Sequence, residues 1–363
     1  MSNTRRNTQS CQALDKTLGS IDNDADRRHV TSLDRDVGSL DGWRSEHGGL
    51  RPKTEEKRNE PCPGGWQTNP MKRHSLWLLG LLLLATALRL GGLGAQEISG
   101  DEAFSVLFSE RPLGEIAAEI LRLGEPHPPL YYLGLHYWMA IAGDSEFSSR
   151  FPSAAASILS IALVCSLGRR MFGWSAGLAA ATFMAINPFQ IWYAQTLRMY
   201  AISIALALST TLVLWTALRR DRWWHWVIYS LLTATHFYLH YYALFIALAQ
   251  GIWVLGTVRR QWRRLMGFVA AAAGAALLYL PWLVRALPSI QTYQGNGESP
   301  TLISLLAQSL RAFSLGETIQ PKTATPFLVA FGLLFAFGLW YAARARSREA
   351  GLLALWLFVP LAG

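Results

Sequence analysis

Cysteine is scarce in this chain: 363 residues contain three, at Cys11, Cys62 and Cys165. Two sit in a polar tail and the third inside an apolar run, which excludes a disulfide framework and a cysteine-based zinc motif. Charge is sparse as well, at 16% of residues, and leans basic, with 33 Lys and Arg against 24 Asp and Glu. The formal charge of +9 raises nucleic-acid binding as a class. However, the arginines fall in short clusters between apolar runs, a pattern that marks the ends of membrane helices and not a nucleic-acid face. What the chain has in quantity is hydrophobic side chains, 51% of the total with 15 tryptophans. Several runs approach the ~20 residues that cross a bilayer.

Residues 1–70 are polar, rich in Gly, Asn, Asp and Arg, and lack apolar periodicity, so they read as a disordered extension. Met71-Lys72-Arg73-His74 leads straight into SLWLLGLLLLATALRLGGLG. Met71 therefore reads as a native start with residues 1–70 added in front; a genuine disordered cytoplasmic arm is the alternative. A cleaved signal peptide is a third reading, but the length of this run and the many that follow favour an uncleaved anchor.

If the run 75–93 points outward, the segment 94–150 is external and carries nine acids against Arg111, Arg122 and Arg150. Apolar runs follow at 151–168, up to about 193, then at 200–218, 223–240, 243–258, 265–284 and 326–343. Arg169-Arg170, Arg219-Arg220-Asp221-Arg222, Arg259-Arg260, Arg263-Arg264 and Arg344, Arg346 and Arg348 then all lie on one side, the cytoplasmic one. This parity requires that PLYYLGLHYWMAIA, residues 129–142, does not cross. At about 1.5 Å per residue it covers about 21 Å, short of a hydrocarbon core of about 30 Å. The run 349–363 stops in mid-pattern and reads as an incomplete last span. The expected fold is an all-α integral membrane protein: a polytopic helical bundle of about nine spans with interfacial helices in the first external loop. Residues 71–363 form its membrane domain, expected to be truncated at the C-terminus, with the N-terminus cytoplasmic.

The external segment holds the candidate chemistry. Asp101-Glu102 follows Ser99, and Ser99-x-x-Glu102 is a capping box that mounts both carboxylates at a rigid helix start. A carboxylate there can serve as a general base. Leu113–Leu123 places Leu113, Ile116, Ala117 and Ile120 on one face and Glu115, Glu119 and Arg122 on the other, as in a helix lying in the interface. Glu125-Pro126-His127-Pro128-Pro129 ends it, and His127 is either a turn histidine or a phosphate contact. Asp144 or Ser145 caps the next helix, near whose start Arg150 either snorkels or binds phosphate. Pro188 should break the run 175–195 and open its outer end. Gln195-x-x-Arg198-x-Tyr200 then puts an arginine at the outer end of two spans, where it is expected to face a polar cavity. His236 and His240 have metal-pair spacing without a third ligand, so no metal site is assigned. His240-Tyr241-Tyr242 could line a sugar site.

The order GDEAFS, HPPLYY, GDSEFSSRFPS, QTLRMYA and FYLHYYAL resembles the C-type membrane glycosyltransferases, which use polyprenyl-phosphate sugars. These include protein mannosyltransferases and aminoarabinose transferases, and the resemblance covers residues 71–363. It implies that Asp101 is the general base or acceptor-positioning group with Glu102 beside it, that His127 belongs to the His-Pro-Pro turn of the mannosyltransferase-like branch, and that Arg198 lies near the donor phosphate. With Arg150, Tyr200, His240 and Tyr241 as further substrate contacts, the expected activity is inverting sugar transfer at the external face. The acceptor would be a lipid, glycan or protein. No cofactor is assigned, and a divalent-cation requirement stays open. A transporter or lipid flippase is the alternative, disfavoured because the polar groups gather at helix ends and no internal repeat is evident. The topology predicts that a reporter fused after Arg170 or Arg220 reads as cytoplasmic and one near Gly297 as external. External labelling of a cysteine at position 170 would reverse the assignment.

Overall fold

The computed structural model describes residues 70–123, 127–292, 301–316, 321–345 and 347–361. The extension 1–69, Glu125, Pro126, the reporter position Gly297 and Arg346 lie outside the described residues. Every regular element described is helical. The helices are α1 (Pro70–Leu90), α2 (Gly100–Ser109), α3 (Leu113–Leu123), α4 (Leu130–Ala142), α5 (Glu146–Phe172), α6 (Trp174–Ile186) and α7 (Pro188–Ala194). They continue as α8 (Tyr200–Arg220), α9 (Trp223–Leu239), α10 (Ala243–Val258), α11 (Trp262–Thr292), α12 (Leu302–Leu315), α13 (Pro321–Ala345) and α14 (Ser347–Leu361).

Among the described residues, four stretches are long and apolar enough to cross a membrane: Arg73–Leu90, Glu146–Phe172, Tyr200–Arg220 and Trp262–Pro288. Trp174–Ile186, Ala243–Val258 and Thr325–Tyr341 are shorter apolar helices. α5 is the organising helix, packed against α1, α6 and α8, while α9 packs on α8 and α11. Lipid gives no hydrophobic drive between helices, so close packing and polar contacts must hold them together. Both are present. A Cβ on Gly177 of α6 would lie 2.6 Å from the Cys165 carbonyl oxygen, and one on Gly168 of α5 would lie 2.9 Å from Gly177 Cα, so the two backbones touch. Between α8, α9 and α10, Tyr229 Oη donates to Gln250 Oε1 at 2.8 Å, and Gln250 Nε2 donates to Thr210 and Thr211 at 3.1 and 2.9 Å. The Gln250 amide is thereby matched inside the bundle.

The short helices α2, α3 and α4 build a separate buried cluster. Phe108, Ile116, Ile120, Tyr131, Tyr132 and Leu135 pack with Leu197, Met199, Leu239, Tyr279 and Trp282. α3 buries Ile116 and Ile120 as its periodicity predicts, whereas Leu113, in its first turn, is exposed. α4 has 13 residues, about 20 Å of helix. Ser145 is the cap of α5, its hydroxyl accepting the Ser148 N–H at 3.2 Å.

At Pro152 and Pro188 the missing N–H is replaced from a neighbouring helix. Pro152 inside α5 leaves the Ser148 carbonyl without its partner four residues on, and Trp138 Nε1 of α4 donates to that oxygen at 2.8 Å. Pro188 divides the run 175–195 as expected. α6 stops at Ile186, Asn187 turns extended at ψ 122°, and its side chain accepts the Gln190 N–H to start α7. The freed Met184 and Ala185 carbonyls accept from Arg89 of α1 at 3.0 and 2.9 Å.

Candidate functional site

Glu102 is the third residue of α2, and its side chain reaches back to the Ser99 N–H at 3.0 Å, one half of the capping box. Its carboxylate is buried against Arg150, which donates from Nε to Oε1 at 3.0 Å and from Nη2 to Oε2 at 2.8 Å. Oε1 also accepts the Leu197 N–H at 2.7 Å. Both oxygens are therefore doubly hydrogen-bonded. Burial alone raises such a carboxyl, but the Arg150 pair and the Leu197 and Ser99 amides outweigh it and hold Glu102 at about 2. A base that weak does not take a proton from a hydroxyl. Glu102, expected beside Asp101 as a catalytic carboxylate, is by geometry a structural anchor.

Arg150 is used up in the same way. Besides Glu102 it donates from Nη1 to the Leu93 and Gln96 carbonyls at 3.0 and 2.8 Å, and from Nη2 to the Glu97 carbonyl at 3.1 Å. All five of its N–H groups are engaged by protein, leaving none for the substrate phosphate expected from its sequence position. One ion pair thus joins four segments: the connection 93–97, the start of α2, the start of α5 and the turn before α8.

That turn carries Arg198. Leu197 is tied to Glu102, and the Arg198 carbonyl accepts from Ser153 Oγ of α5 at 3.0 Å. The Arg198 side chain, 9% exposed, is loosely held: Nη1 lies 3.4 Å from both the Asp101 carbonyl and Ser105 Oγ, and buried Nε has no partner. The Tyr200 side chain is its other polar neighbour, and a buried cation that keeps an unmatched donor is suited to an anion. Asp101 is exposed beside it at the start of α2, one residue from the buried Glu102. Adjacent positions on a helix point about 100° apart, which separates the two carboxylates.

The remaining expected residues continue from Arg198 as a chain of rings. Its guanidinium sits 5.9 Å from the Tyr200 ring centre, Tyr200 lies 5.8 Å from His240, and His240 lies 5.5 Å from His127. The Tyr242 N–H donates to His240 Nδ1 at 3.1 Å, so the neutral ring carries its proton on Nε2. Tyr241 packs at the edge of the same cluster. His236 is directed elsewhere, its Nε2 2.8 Å from Ser203 Oγ. Among the described residues no three His, Cys, Asp or Glu side chains converge as metal ligands. Sequence reasoning missed Tyr131, buried in the cluster beneath Arg198, and Ser105 and Ser153. Tyr131 stands in the first turn of α4, directly after the His127-Pro128-Pro129 turn, a place in HPPLYY that could have suggested it.

Residues 126–284 match the dolichyl-phosphate-mannose-protein mannosyltransferase family. The likeness is to lipid-phosphate-sugar glycosyltransferases. The match includes His127, Arg150, Arg198, Tyr200, His240 and Tyr241 but begins after Asp101 and Glu102. An undecaprenyl phosphate-alpha-4-amino-4-deoxy-L-arabinose arabinosyl transferase from Pseudomonas aeruginosa is 28% identical over 282 residues, covering 68% of this chain and 48% of that protein. The crystal structure of ArnT from Cupriavidus metallidurans in the apo state has the same fold, with a TM-score of 0.54 at 18% identity, over 78% of this chain and 54% of that one. The S. cerevisiae protein O-mannosyltransferase Pmt1-Pmt2 complex bound to the sugar donor aligns with a TM-score of 0.41 at 16% identity, over 68% of this chain and 37% of that one. The resemblance read from the motif order is borne out, and the chain spans about half the length of the curated relative it matches.

The ion pair makes a pH prediction. A carboxyl lowered from 4.5 to about 2 contributes stability that is complete above its unfolded value and is lost as pH falls through the folded one. Thermal unfolding of the purified protein should therefore weaken steeply between about pH 4.5 and 2. Glu102→Gln should lose that component and cost about 3–5 kcal/mol at neutral pH by leaving Arg150 buried without its carboxylate. An unchanged acid profile in the variant would remove the pair from this role.

Proposed function

We propose that this chain provides the membrane catalytic part of a glycosyltransferase that moves a sugar from a polyprenyl-phosphate donor to a lipid, glycan or protein acceptor, with inversion, at the external face. The observation that carries the reading is Arg198: a buried guanidinium with a free Nε donor, mounted at the outer end of α8 beside exposed Asp101. The family match and the transferase relatives support the class of reaction. The arrangement of the arginine clusters supports nine spans with the N-terminus cytoplasmic and the site outside.

In this mechanism the acceptor O–H or N–H attacks the anomeric carbon from the side opposite the phosphate. The bond from that carbon to the phosphate oxygen breaks, its electron pair leaves with the phosphate, and the acceptor proton passes to the Asp101 carboxylate. Arg198 meets the charge that develops on the departing phosphate. His240, neutral and protonated on Nε2, offers a further donor from the aromatic wall formed with Tyr200 and His127. Glu102 and Arg150 keep Asp101 and Arg198 in register without touching substrate. The polyprenyl tail stays in the bilayer while its head group enters between α2 and the turn before α8.

Donor-dependent turnover in matched membranes tests this with radiolabelled polyprenyl-phosphate sugars. Asp101→Asn should lower kcat by about 10²–10⁴-fold with insertion and stability unchanged; full activity would dismiss it as the base. Arg198→Lys keeps the charge but loses the planar fork, and should reduce kcat/KM for the donor by about 10-fold or more. Wild-type kinetics in Arg198→Lys would place the phosphate elsewhere.

A further inference from the structure

Arg89 is a fully buried cation in the last turn of α1, and the transfer mechanism above does not use it. A charged group in a membrane span is costly and ordinarily marks a pathway or a site. Here its donors face protein oxygens: Nε reaches Ser157 Oγ at 2.8 Å, Nη1 the Ala85 and Ala185 carbonyls at 3.4 and 2.9 Å, and Nη2 the Met184 carbonyl at 3.0 Å. Met184 is the residue whose carbonyl would have bonded the N–H of residue 188, which proline lacks. The guanidinium therefore substitutes for the hydrogen bonds removed by the Pro188 break.

The contact is returned from the far end of α7. Gln195 Nε2 donates to the Leu88, Arg89 and Gly91 carbonyls at 3.1, 3.5 and 3.0 Å, capping the helix that carries Arg89. α1 can end there because Gly92 takes φ +74°, which a side chain would strain. α1 thus holds the last turn of α6 through Arg89 and the C-terminal end of α7 through Gln195. The continuation of α7, three residues beyond Gln195, is Arg198.

We propose that Arg89 and Gln195 are positioning residues, a reciprocal clamp that sets the turn 195–199 and so the Arg198 guanidinium against the donor phosphate. The phosphate half of this statement rests on the function proposed above; the clamp itself does not. A clamp differs from general structural support in its readout. Releasing Gln195 should loosen the turn and weaken phosphate recognition while the bundle, held by α5, α6 and α8, stays folded.

The test compares wild type with Gln195→Met, which keeps length and removes the amide donors, and with Arg89→Lys, which keeps charge but cannot span two carbonyls. Amide hydrogen exchange of the full chain in detergent reports on residues 195–199, and a titration with undecaprenyl phosphate reports on phosphate recognition. In Gln195→Met, exchange at 195–199 should quicken by about tenfold, the ratio that corresponds to about 1.4 kcal/mol. Undecaprenyl phosphate should bind about tenfold more weakly, with the unfolding temperature unchanged. Arg89→Lys should shift both readouts in the same direction. Unchanged exchange at 195–199 in Gln195→Met overturns the clamp, and so does faster exchange with wild-type phosphate binding. If wild type itself neither binds the lipid phosphate nor transfers sugar, the proposed function has failed, and the exchange result still decides whether the clamp holds the turn.

Discussion

The Glu102–Arg150 pair is the constraint on which the Arg198 end of this protein depends. A carboxylate and a guanidinium taken out of water together are tolerable only when the remaining lone pairs and protons are also matched. Here they are, by the Ser99 and Leu197 amides and by three carbonyls of the connection 93–97. Matching those groups forces four remote stretches of chain into one place. The exposed Asp101 and the loosely held Arg198 are each one residue from an atom in that network, so their separation follows from it. Rigid support beneath and a free donor above are what a site for a transient anion requires.

A second regularity concerns proline. Within a membrane, an orphaned carbonyl has no water to turn to. At Pro152 the missing donor is supplied by the Trp138 indole, and at Pro188 by Arg89. Both donors come from the preceding parts of the chain that must be docked for the site to exist, α4 in one case and α1 in the other. Each break therefore also acts as a fastening between helices. Trp138 ties the short helix carrying Tyr131 to α5, and Arg89 ties α1 to the turn that presents Arg198.

Much of this was legible before any coordinates. Apolar run lengths located the main helices, Pro188 announced a break, and Ser99-x-x-Glu102 announced a capped start, because each depends on local backbone chemistry. The expected shares of labour were less legible. Asp101 and Glu102 are chemically alike in the sequence, and what separates them is which one meets Arg150 across 48 residues of chain. Arg150 and Arg198 likewise look equivalent as outer-end arginines, yet one has every donor engaged and the other does not. Arg89 carries no mark of its role, because nothing near it in sequence shows that two carbonyls almost 100 residues away will need it. Burial partners at long range are the information that local pattern lacks.

The backbone contact between Gly168 and Gly177 has a mechanical consequence. With no side chains between them, α5 and α6 are in backbone contact there, close to the Gly173 turn that joins them, so the contact acts as a fulcrum near one end of the pair. From Gly168 to Arg150 the helix extends about 27 Å at 1.5 Å per residue. A splay of only about 5° would then move the far end by about 2 Å, the scale of a lost hydrogen bond. Lever length makes the end that holds Arg150 and Ser153 the sensitive one, and any lateral parting of these helices to admit a lipid head group would be read out there, at the register of Arg198, while the glycine end stays still.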